Sequence, residues 1–145
     1  MTRPDPDRLA LGVQQPWAEL ILRGVKTIEV RSLPTQVRGI IYLYASRKVS
    51  ALDAALTTAT AQNIDVDSLP KGLLVGTVEI IGSRPCTPAD AAAACVPANV
   101  LAGRQAWVLA NPQRLPKPLP VRFLPFGVWF YPFKRKTRAE PNPRK

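Results

Sequence analysis

The sequence predicts an α+β, mainly β fold: a closed barrel of about five to six mostly antiparallel strands, with two to three helices packed outside it. Two observations lead to this prediction. Several short segments have the length and the β-branched and aromatic content of strands, whereas only short stretches have helical spacing. Strands this short would leave unpaired edges unless the sheet closed on itself, so closure is expected.

The first half of the chain alternates strand and helix signals. Residues 8–14 alternate apolar and polar side chains, which is typical of a strand. A short helix is predicted next, because Pro16 suits a first helical turn and Gly24 can take a left-handed C-terminal conformation. The period then changes to two, with Ile28 and Val30 on one face of a second strand.

Two further strands and two helices are predicted in the middle of the chain. Residues 39–45 and 72–82 are the strands, and Gly76 predicts a bulge or a close backbone approach. A helix is predicted from a Ser50 cap to about residue 62, and Thr87 begins a short alanine-rich helix. The inward stripe of the longer helix is predicted to be Leu52, Ala55, Leu56 and Ala59.

The last predicted strands lie in a proline-rich region. Residues 105–110 form a strand that Asn111 is expected to end, and the prolines that follow favour edge or connecting segments. Residues 121–123 and 128–131 are expected to pair at the barrel rim. Since the composition stays globular from 8 to 133, that range is predicted to be a single domain.

The two ends of the chain are expected to be flexible tails, residues 1–7 and 134–145. The first tail has no apolar core typical of a secretory signal, and no apolar run approaches the length of a membrane span. We therefore expect a cytoplasmic protein that contacts no membrane and acts as a monomer.

The positive charge is concentrated in the C-terminal part of the chain. The net charge is +10, but residues 1–90 contribute ten basic and nine acidic groups, a net of +1. Residues 91–145 contribute ten basic groups and one carboxylate, a net of +9. This asymmetry favours a polyanionic partner, because neutralised phosphates release counterions. The alternative is a basic protein with a disordered tail and no such partner.

The cysteine and histidine content limits the chemistry. The chain has two cysteines, Cys86 and Cys95, and no histidine, which excludes a zinc site of four cysteine or histidine ligands. No cofactor or metal is expected. The two thiols are predicted to be free. The absence of histidine also removes the usual general base and the Ser-His and Cys-His nucleophile pairs.

Charged side chains interrupt the second strand and define a candidate site. If Ile28 and Val30 face the core, Glu29 and Arg31 lie side by side on the opposite face, and Lys26 must sit at the strand end or on a bulge. One interpretation is a walled pocket, in which the three charges bind a nucleotide. The other is a solvated surface ion pair, which would contribute little.

The pattern of residues in and after this strand resembles the ASCH domain, the activating signal cointegrator-1 homology domain. The resemblance covers most of residues 8 to 131. It rests on Gln15-Pro16-Trp17-Ala18, Gly24-x-Lys26-x-x-Glu29-x-Arg31-Ser32, Arg38-Gly39, Ala45-Ser46-Arg47-Lys48, Pro70-x-Gly72-x-Leu74-x-Gly76-x-Val78 and Trp107-Val108-Leu109-Ala110-Asn111-Pro112. It implies a PUA-like barrel, related to modules that bind RNA and modified bases.

The predicted function is therefore a nucleic-acid-binding module with a basic surface and a pocket for a nucleotide or modified base. Single-stranded or structured RNA is the expected partner. The pocket wall is predicted to be Gln15, Pro16 and Trp17, although the helical spacing of Trp17 favours the core. The predicted contacts to nucleic acid are Lys26, Glu29, Arg31, Ser46, Arg47, Lys48, Lys134, Arg135 and Lys136.

The alternative is a small nucleic-acid enzyme. Some ASCH proteins are similar to amidohydrolases acting on acetylated cytidine, with a Lys-x-x-Thr motif whose threonine is the nucleophile. Here the matching positions are Lys26 and Glu29, so a carboxylate replaces the nucleophile and this activity is disfavoured. Other ASCH proteins are similar to ribonucleases, and Lys26, Tyr44, Ser46 and Lys48 could serve cleavage. For an enzyme of either kind, the candidate catalytic residues are Lys26, Glu29, Tyr44 and Lys48.

Overall fold

Six strands form one curled sheet in the computed structural model, which describes residues 4–125 and 127–135. Three short helices pack against the sheet. The strands are β1 (Ala10–Val13), β2 (Ile28–Arg31), β3 (Gly39–Ala45), β4 (Leu73–Pro85), β5 (Gln105–Leu119) and β6 (Trp129–Phe130). The helices are α1 (Trp17–Leu22), α2 (Asp53–Ala61) and α3 (Ala91–Ala94).

The sheet is an open half-barrel, so the prediction of a closed barrel was wrong. Its strand order is β2-β5-β4-β3-β1-β6, with β1 and β3 parallel and all other neighbours antiparallel. The mainly β class and the mostly antiparallel pairing are confirmed. The two edge strands, β2 and β6, do not pair with each other.

Side chains bridge the open seam where a closed barrel would have backbone hydrogen bonds. Arg31 at the end of β2 donates from Nη2 to the Gly12 carbonyl of β1 at 2.8 Å. Trp107 of β5 stacks on Trp129 of β6, with ring centroids 5.6 Å apart. Because β6 has only two residues, it is too short to pair along β2. These bulky side chains hold the two edges near each other without joining them.

The alternation along β3 divides the apolar residues into two clusters. Ile41 and Leu43 join the main core inside the half-barrel, where α1 also packs. Tyr42 and Tyr44 point the other way and pack in a second cluster with Phe130. Val121, Phe130 and Phe133 therefore pack on the face of the sheet opposite the main core.

Two glycines behave as the sequence predicts. Gly24 has a φ of 76° and follows α1, so the chain turns directly into β2. Gly76 lies at a register shift between β4 and β5, and a Cβ there would collide with the Gln113 carbonyl and the Leu22 side chain. The close approach predicted at this position is confirmed.

Strand β5 is longer than predicted and includes the prolines. Asn111 does not end the strand; it takes a φ of 53°, and the chain continues to Leu119 at a shifted register. Strand β2 pairs only with residues 105–108, so the rest of β5 pairs with β4 alone. Prolines are tolerated in this half because one side of the strand needs no backbone donors. Residues 121–123 form no strand.

Helix α2 is shorter than predicted and buries only its alanines. It starts at Asp53, and Ser50 instead accepts a hydrogen bond from the Leu52 amide. Ala55 and Ala59 are buried, whereas Leu52 and Leu56 are half exposed, so the predicted apolar stripe was wrong for both leucines. Leu56 is exposed on the helix, and Leu52 precedes Asp53 and is not part of it.

The structure describes residues 4–7 and 134–135 of the two predicted tails. Asp5 donates its backbone N–H to the Tyr42 hydroxyl at 2.7 Å, and Asp7 forms an ion pair with Lys134 at 2.9 Å. Residues 1–3 and 136–145, and with them Lys136, lie outside the described residues, so flexibility there stays a prediction. Among the helices of the described chain, none is long and apolar enough to span a bilayer.

Candidate functional site

A cleft of about 730 Å³ lies at the open seam of the sheet. Strand β2 and the end of β1 contribute one side, and the segment after β3 contributes another. Residues between 96 and 104, which follow α3, complete the walls together with Pro125, Gly127 and Val128, which precede β6. The cleft therefore exists because β2 and β6 do not pair and the sheet stays open.

Lys26 is a buried cation at the cleft. It precedes β2, as the alternation requires, and its side chain is 3 % exposed. Its Nζ donates to the Ala94 carbonyl at 2.7 Å and lies 4.6 Å from the centroid of the Trp17 ring. Burial lowers the pKa of Lys26, while the neighbouring Glu29 carboxylate partly opposes that change.

Glu29 and Arg31 form a partly buried ion pair beside Lys26. Glu29 Oε2 accepts from Arg31 Nε at 2.9 Å and from Arg31 Nη2 at 2.7 Å. Glu29 Oε1 lies 3.8 Å from Lys26 Nζ and accepts no hydrogen bond from any residue that the structure describes. The Glu29 side chain is 8 % exposed, so this is not the solvated surface pair of the alternative interpretation. One oxygen holds the arginine and the other is available to a ligand.

The predicted pocket wall is assigned only in part. Trp17 lines the cleft, although most of its surface is buried in the core. Gln15 and Pro16 lie behind it in the packing and do not line the cleft. Gln15 instead links α1 to the segment before β4, since its Nε2 donates to the Pro70 carbonyl and its Oε1 accepts from the Glu19 amide.

The residues that end β3 divide between the cleft and the surface. Tyr44 and Ser46 line the cleft, and the Tyr44 ring packs edge-on against Phe130. Arg47 and Lys48 are exposed and lie outside its lining. The Arg47 side chain lies against Gly72, where an added Cβ would be 3.1 Å from Arg47 Cγ. The structure thus brings together only some of the predicted contacts.

Several cleft residues were missed at the sequence level. Arg104 is an exposed cation of the lining, and no carboxylate among the described residues pairs with it. Val96, Val100 and Leu52 provide aliphatic walls. Arg104 directly precedes β5, and loops next to strands often position binding groups, so its location offered a weak signal. The aliphatic residues gave none, because their spacing is that of ordinary core positions.

The aromatic and basic residues near the C-terminus divide between the packing of the sheet and the protein surface. Trp129 and Phe130 are buried and belong to the sheet. Lys134 lies 4.6 Å from the Tyr131 ring centroid and bridges to Asp7. Arg135 is exposed and lies over the Phe123 ring, with 5.7 Å between its guanidinium carbon and the ring centroid. None of these residues lines the cleft.

The two thiols and the carboxylates are the remaining groups that could hold a metal ion. Within residues 4–125 and 127–135, no group of three or more cysteines, aspartates and glutamates is placed to hold a metal ion. Cys86 and Cys95 are free thiols, as predicted, and burial raises the pKa of each. The cleft therefore offers a carboxylate oxygen, ammonium and guanidinium donors, hydroxyls and aliphatic walls.

The fold and site together define a class: a curled, mainly β domain whose open seam holds a polar cleft. The model of the ASCH domain family matches residues 11–119, and the chain belongs to that family. It is 36% identical over 78 residues to the human protein activating signal cointegrator 1, and 35% identical to the mouse protein. Each match covers 49% of this chain but only 13% of the relative.

Solved structures support the fold. The ASCH protein from Zymomonas mobilis superposes with a TM-score of 0.59 at 15% identity, over 88% of each chain. A tyrosine-to-phenylalanine variant of that protein gives a TM-score of 0.55 at 13% identity, over 86% of this chain and 88% of the other. At these identities the likeness concerns the fold alone.

Proposed function

We propose that this protein binds RNA and that the cleft receives one unstacked nucleotide of a single-stranded or structured segment. The observation that carries the proposal is the convergence of Lys26, Glu29 and Arg31 in the cleft, with Glu29 Oε1 accepting no hydrogen bond from the described residues. Membership of the ASCH family, whose members are associated with nucleic-acid binding, supports it.

The charges fit a nucleotide better than a simple anion. Glu29 Oε1 can accept from a base amino or imino group or from a ribose hydroxyl, which cations cannot do. Lys26 has donors to spare beyond its bond to Ala94, and Arg104 places a further cation in the lining. One nucleotide could thus donate from its base or sugar to the carboxylate while its phosphate contacts the cations.

The walls suggest how the base is held. Trp17 and Tyr44 are buried, and one face of Trp17 already carries Lys26. The base would therefore lie between aliphatic side chains such as Val30, Val96 and Val100 rather than in an aromatic cage. Recognition of its edge by Glu29 would then contribute more to specificity than stacking does.

The test is a binding panel of short RNAs of differing sequence, titrated against variants at one fixed salt concentration. Glu29→Gln should relax discrimination among nucleotides while sparing or strengthening overall affinity, because a repulsive charge is lost. Lys26→Ala should weaken binding to all sequences, by about 1–2 kcal/mol.

The matched controls are Glu79→Gln and Lys117→Ala, which remove charges from β4 and β5 outside the cleft lining. They should change neither the preference profile nor the affinity beyond a small salt-dependent term. A Glu29→Gln protein with the stability and the preference profile of the wild type would refute the proposal.

A hydrolytic role for the same cleft is the second candidate. Lys26, whose pKa is lowered by burial, lies 3.8 Å from a carboxylate, and Tyr44 lines the same cleft. Such a lysine could take part in proton transfer. Lys48, the fourth candidate, is exposed and outside the lining. Gel analysis of bound RNA after long incubation distinguishes the roles, since a binding module leaves it intact.

A further inference from the structure

Arg122 and Phe123, on the segment that leads into the cleft wall, form a cationic cluster with Arg135, which follows β6. The guanidinium carbon of Arg122 is 5.4 Å from the Phe123 ring centroid, and that of Arg135 is 5.7 Å from it. Both arginines are exposed, and within the described residues neither has a carboxylate partner. The nearest ion pair in sequence, Lys134 with Asp7, does not involve them.

The backbone fixes this cluster relative to the cleft. The amides of Arg122 and Phe123 both donate to the Pro132 carbonyl at 3.0 Å, which anchors the start of the segment beside the residues after β6. The segment then continues to Pro125, which lines the cleft. Two residues of chain span at most about 7 Å, so the cluster lies close to the rim of the cleft.

We propose that the Arg122–Phe123–Arg135 cluster binds the phosphodiester backbone of the same strand whose nucleotide occupies the cleft. This inference rests on the proposed function and adds a second contact, one that senses strand length rather than base identity. Guanidinium groups match phosphate oxygens in a forked geometry, and the Phe123 ring holds both groups on one patch. Because the patch has no carboxylate to accept from a base, it would not discriminate among bases.

The experiment compares ligands of one and five nucleotides. Nucleoside 5′-monophosphates probe the cleft, and pentanucleotides of RNA and of DNA probe cleft and cluster together. For the double variant Arg122→Ala/Arg135→Ala, we expect the pentanucleotide affinity to fall about tenfold, and the slope of log affinity against log salt to fall by about 1 to 1.5. Monophosphate affinity and the base preference should stay as in the wild type.

The single variant Arg122→Ala is compared with Lys117→Ala, an equal loss of charge at an exposed position on β5. Only the arginine variant should lose affinity for pentanucleotides. The charge-conserving Arg122→Lys/Arg135→Lys variant should recover part of the affinity, because charge is kept and the forked geometry is lost. Urea unfolding of each variant shows that the fold is retained.

The outcomes separate the two proposals. Wild-type protein that binds no oligonucleotide would overturn both. Wild-type protein with a Glu29-dependent base preference, together with a double variant that matches Lys117→Ala, would overturn only the cluster. Equal affinity for a polyglutamate peptide of the same charge, lost equally in the double variant, would also overturn it, since the patch would then attract any polyanion.

Discussion

At the scale of single residues, the site depends on charges that are buried and therefore oriented. Lys26 and Glu29 are both nearly inaccessible, and each is held by a specific partner, the Ala94 carbonyl and the Arg31 guanidinium. Burying charges costs free energy unless hydrogen bonds offset the loss of water. A ligand that completes the hydrogen bonds of this pair would recover part of that free energy. We therefore expect the cleft to bind a polar ligand.

The buried state of Lys26 predicts a pH dependence of stability. Burial lowers the pKa of Lys26 below its ordinary value of 10.5, so between the two pKa values the unfolded chain binds more protons than the folded chain. The free energy of unfolding contributed by this group therefore rises with pH across that window. Lys26→Met lacks this contribution, so the wild type should gain stability relative to the variant as the pH approaches 10.5.

Urea unfolding of both proteins at a series of pH values measures this difference, and Lys117→Met provides the control at an exposed position. A stability difference between wild type and Lys26→Met that is constant, or that shifts in favour of the variant as the pH rises, would contradict the assignment.

At the scale of elements, side chains replace the missing strand pairing at the seam. Arg31 connects β2 to β1 through its bond to Gly12, and it also orients Glu29. A second link joins α1 to the sheet, since Glu19 of α1 accepts from Arg114 of β5 and from Arg23. Burial would raise the pKa of Glu19, but these hydrogen bonds lower it overall. Helix α1 is thereby tied to the long strand.

Replacing Arg31 tests the seam. Arg31→Lys keeps the charge but cannot bond Glu29 and Gly12 at the same time in the forked geometry. We expect a loss of about 1–2 kcal/mol in the free energy of unfolding, and faster hydrogen exchange in β2 than in β4. Arg38→Lys, which changes an exposed arginine outside the seam, is the control. Unaltered exchange in β2 would show that this bridge does not hold the edge.

Replacing Gly76 tests the packing of β4 on β5. Gly76→Ala places a Cβ against the Gln113 carbonyl and the Leu22 side chain, so the free energy of unfolding should fall by about 1–3 kcal/mol. Gly82→Ala in the same strand would meet Val108 at an ordinary 3.7 Å and should cost little. Denaturant titration gives both values, and equal stability of the two variants would mean that the chain relaxes without cost.

Local signals in the sequence predict most helices and strands, but they do not predict that the two edge strands of the sheet stay unpaired. Periodicity correctly places β1, β3 and α1, because their burial follows directly from residue spacing. It predicts too short a β5, because the tolerance of proline depends on which neighbouring strand is present. It also predicts a closed barrel, whereas closure depends on the length of β6. The charges on β2 could be predicted; the cleft walls after α3 and before β6 could not, since they meet the site only through tertiary contacts.

At the scale of the whole molecule, the uneven charge complements the cleft. Residues 91–145 contribute a net charge of +9, including Arg104 at the cleft and Arg122 and Arg135 at the cationic cluster. If the protein binds RNA as proposed, a field of this sign would attract the RNA from solution and concentrate it near the surface. Attraction of this kind does not depend on the nucleotide sequence of the ligand, so discrimination among nucleotides would depend on the cleft.

Truncation after Arg135 tests the contribution of the basic C-terminus. It removes Lys136, Arg138, Arg144 and Lys145 together with Glu140, four positive charges and one negative, so the net charge falls by 3. We expect weaker RNA binding and a flatter dependence on salt, with the preference among nucleotides retained. Binding isotherms at several salt concentrations measure both. An unchanged slope would assign the phosphate contacts to the rest of the chain.

The most direct test of the central claim is an NMR titration of the isotopically labelled full-length protein with nucleoside 5′-monophosphates. We expect backbone amide shifts to concentrate at the cleft, on Val30, Ser46, Val100 and Gly127. Glu29→Gln should change which nucleotide gives the largest shifts. Amides of Glu79 and Lys117 should stay in place. Shifts confined to the C-terminal tail, or equal in wild type and Glu29→Gln for all four nucleotides, would contradict the central claim.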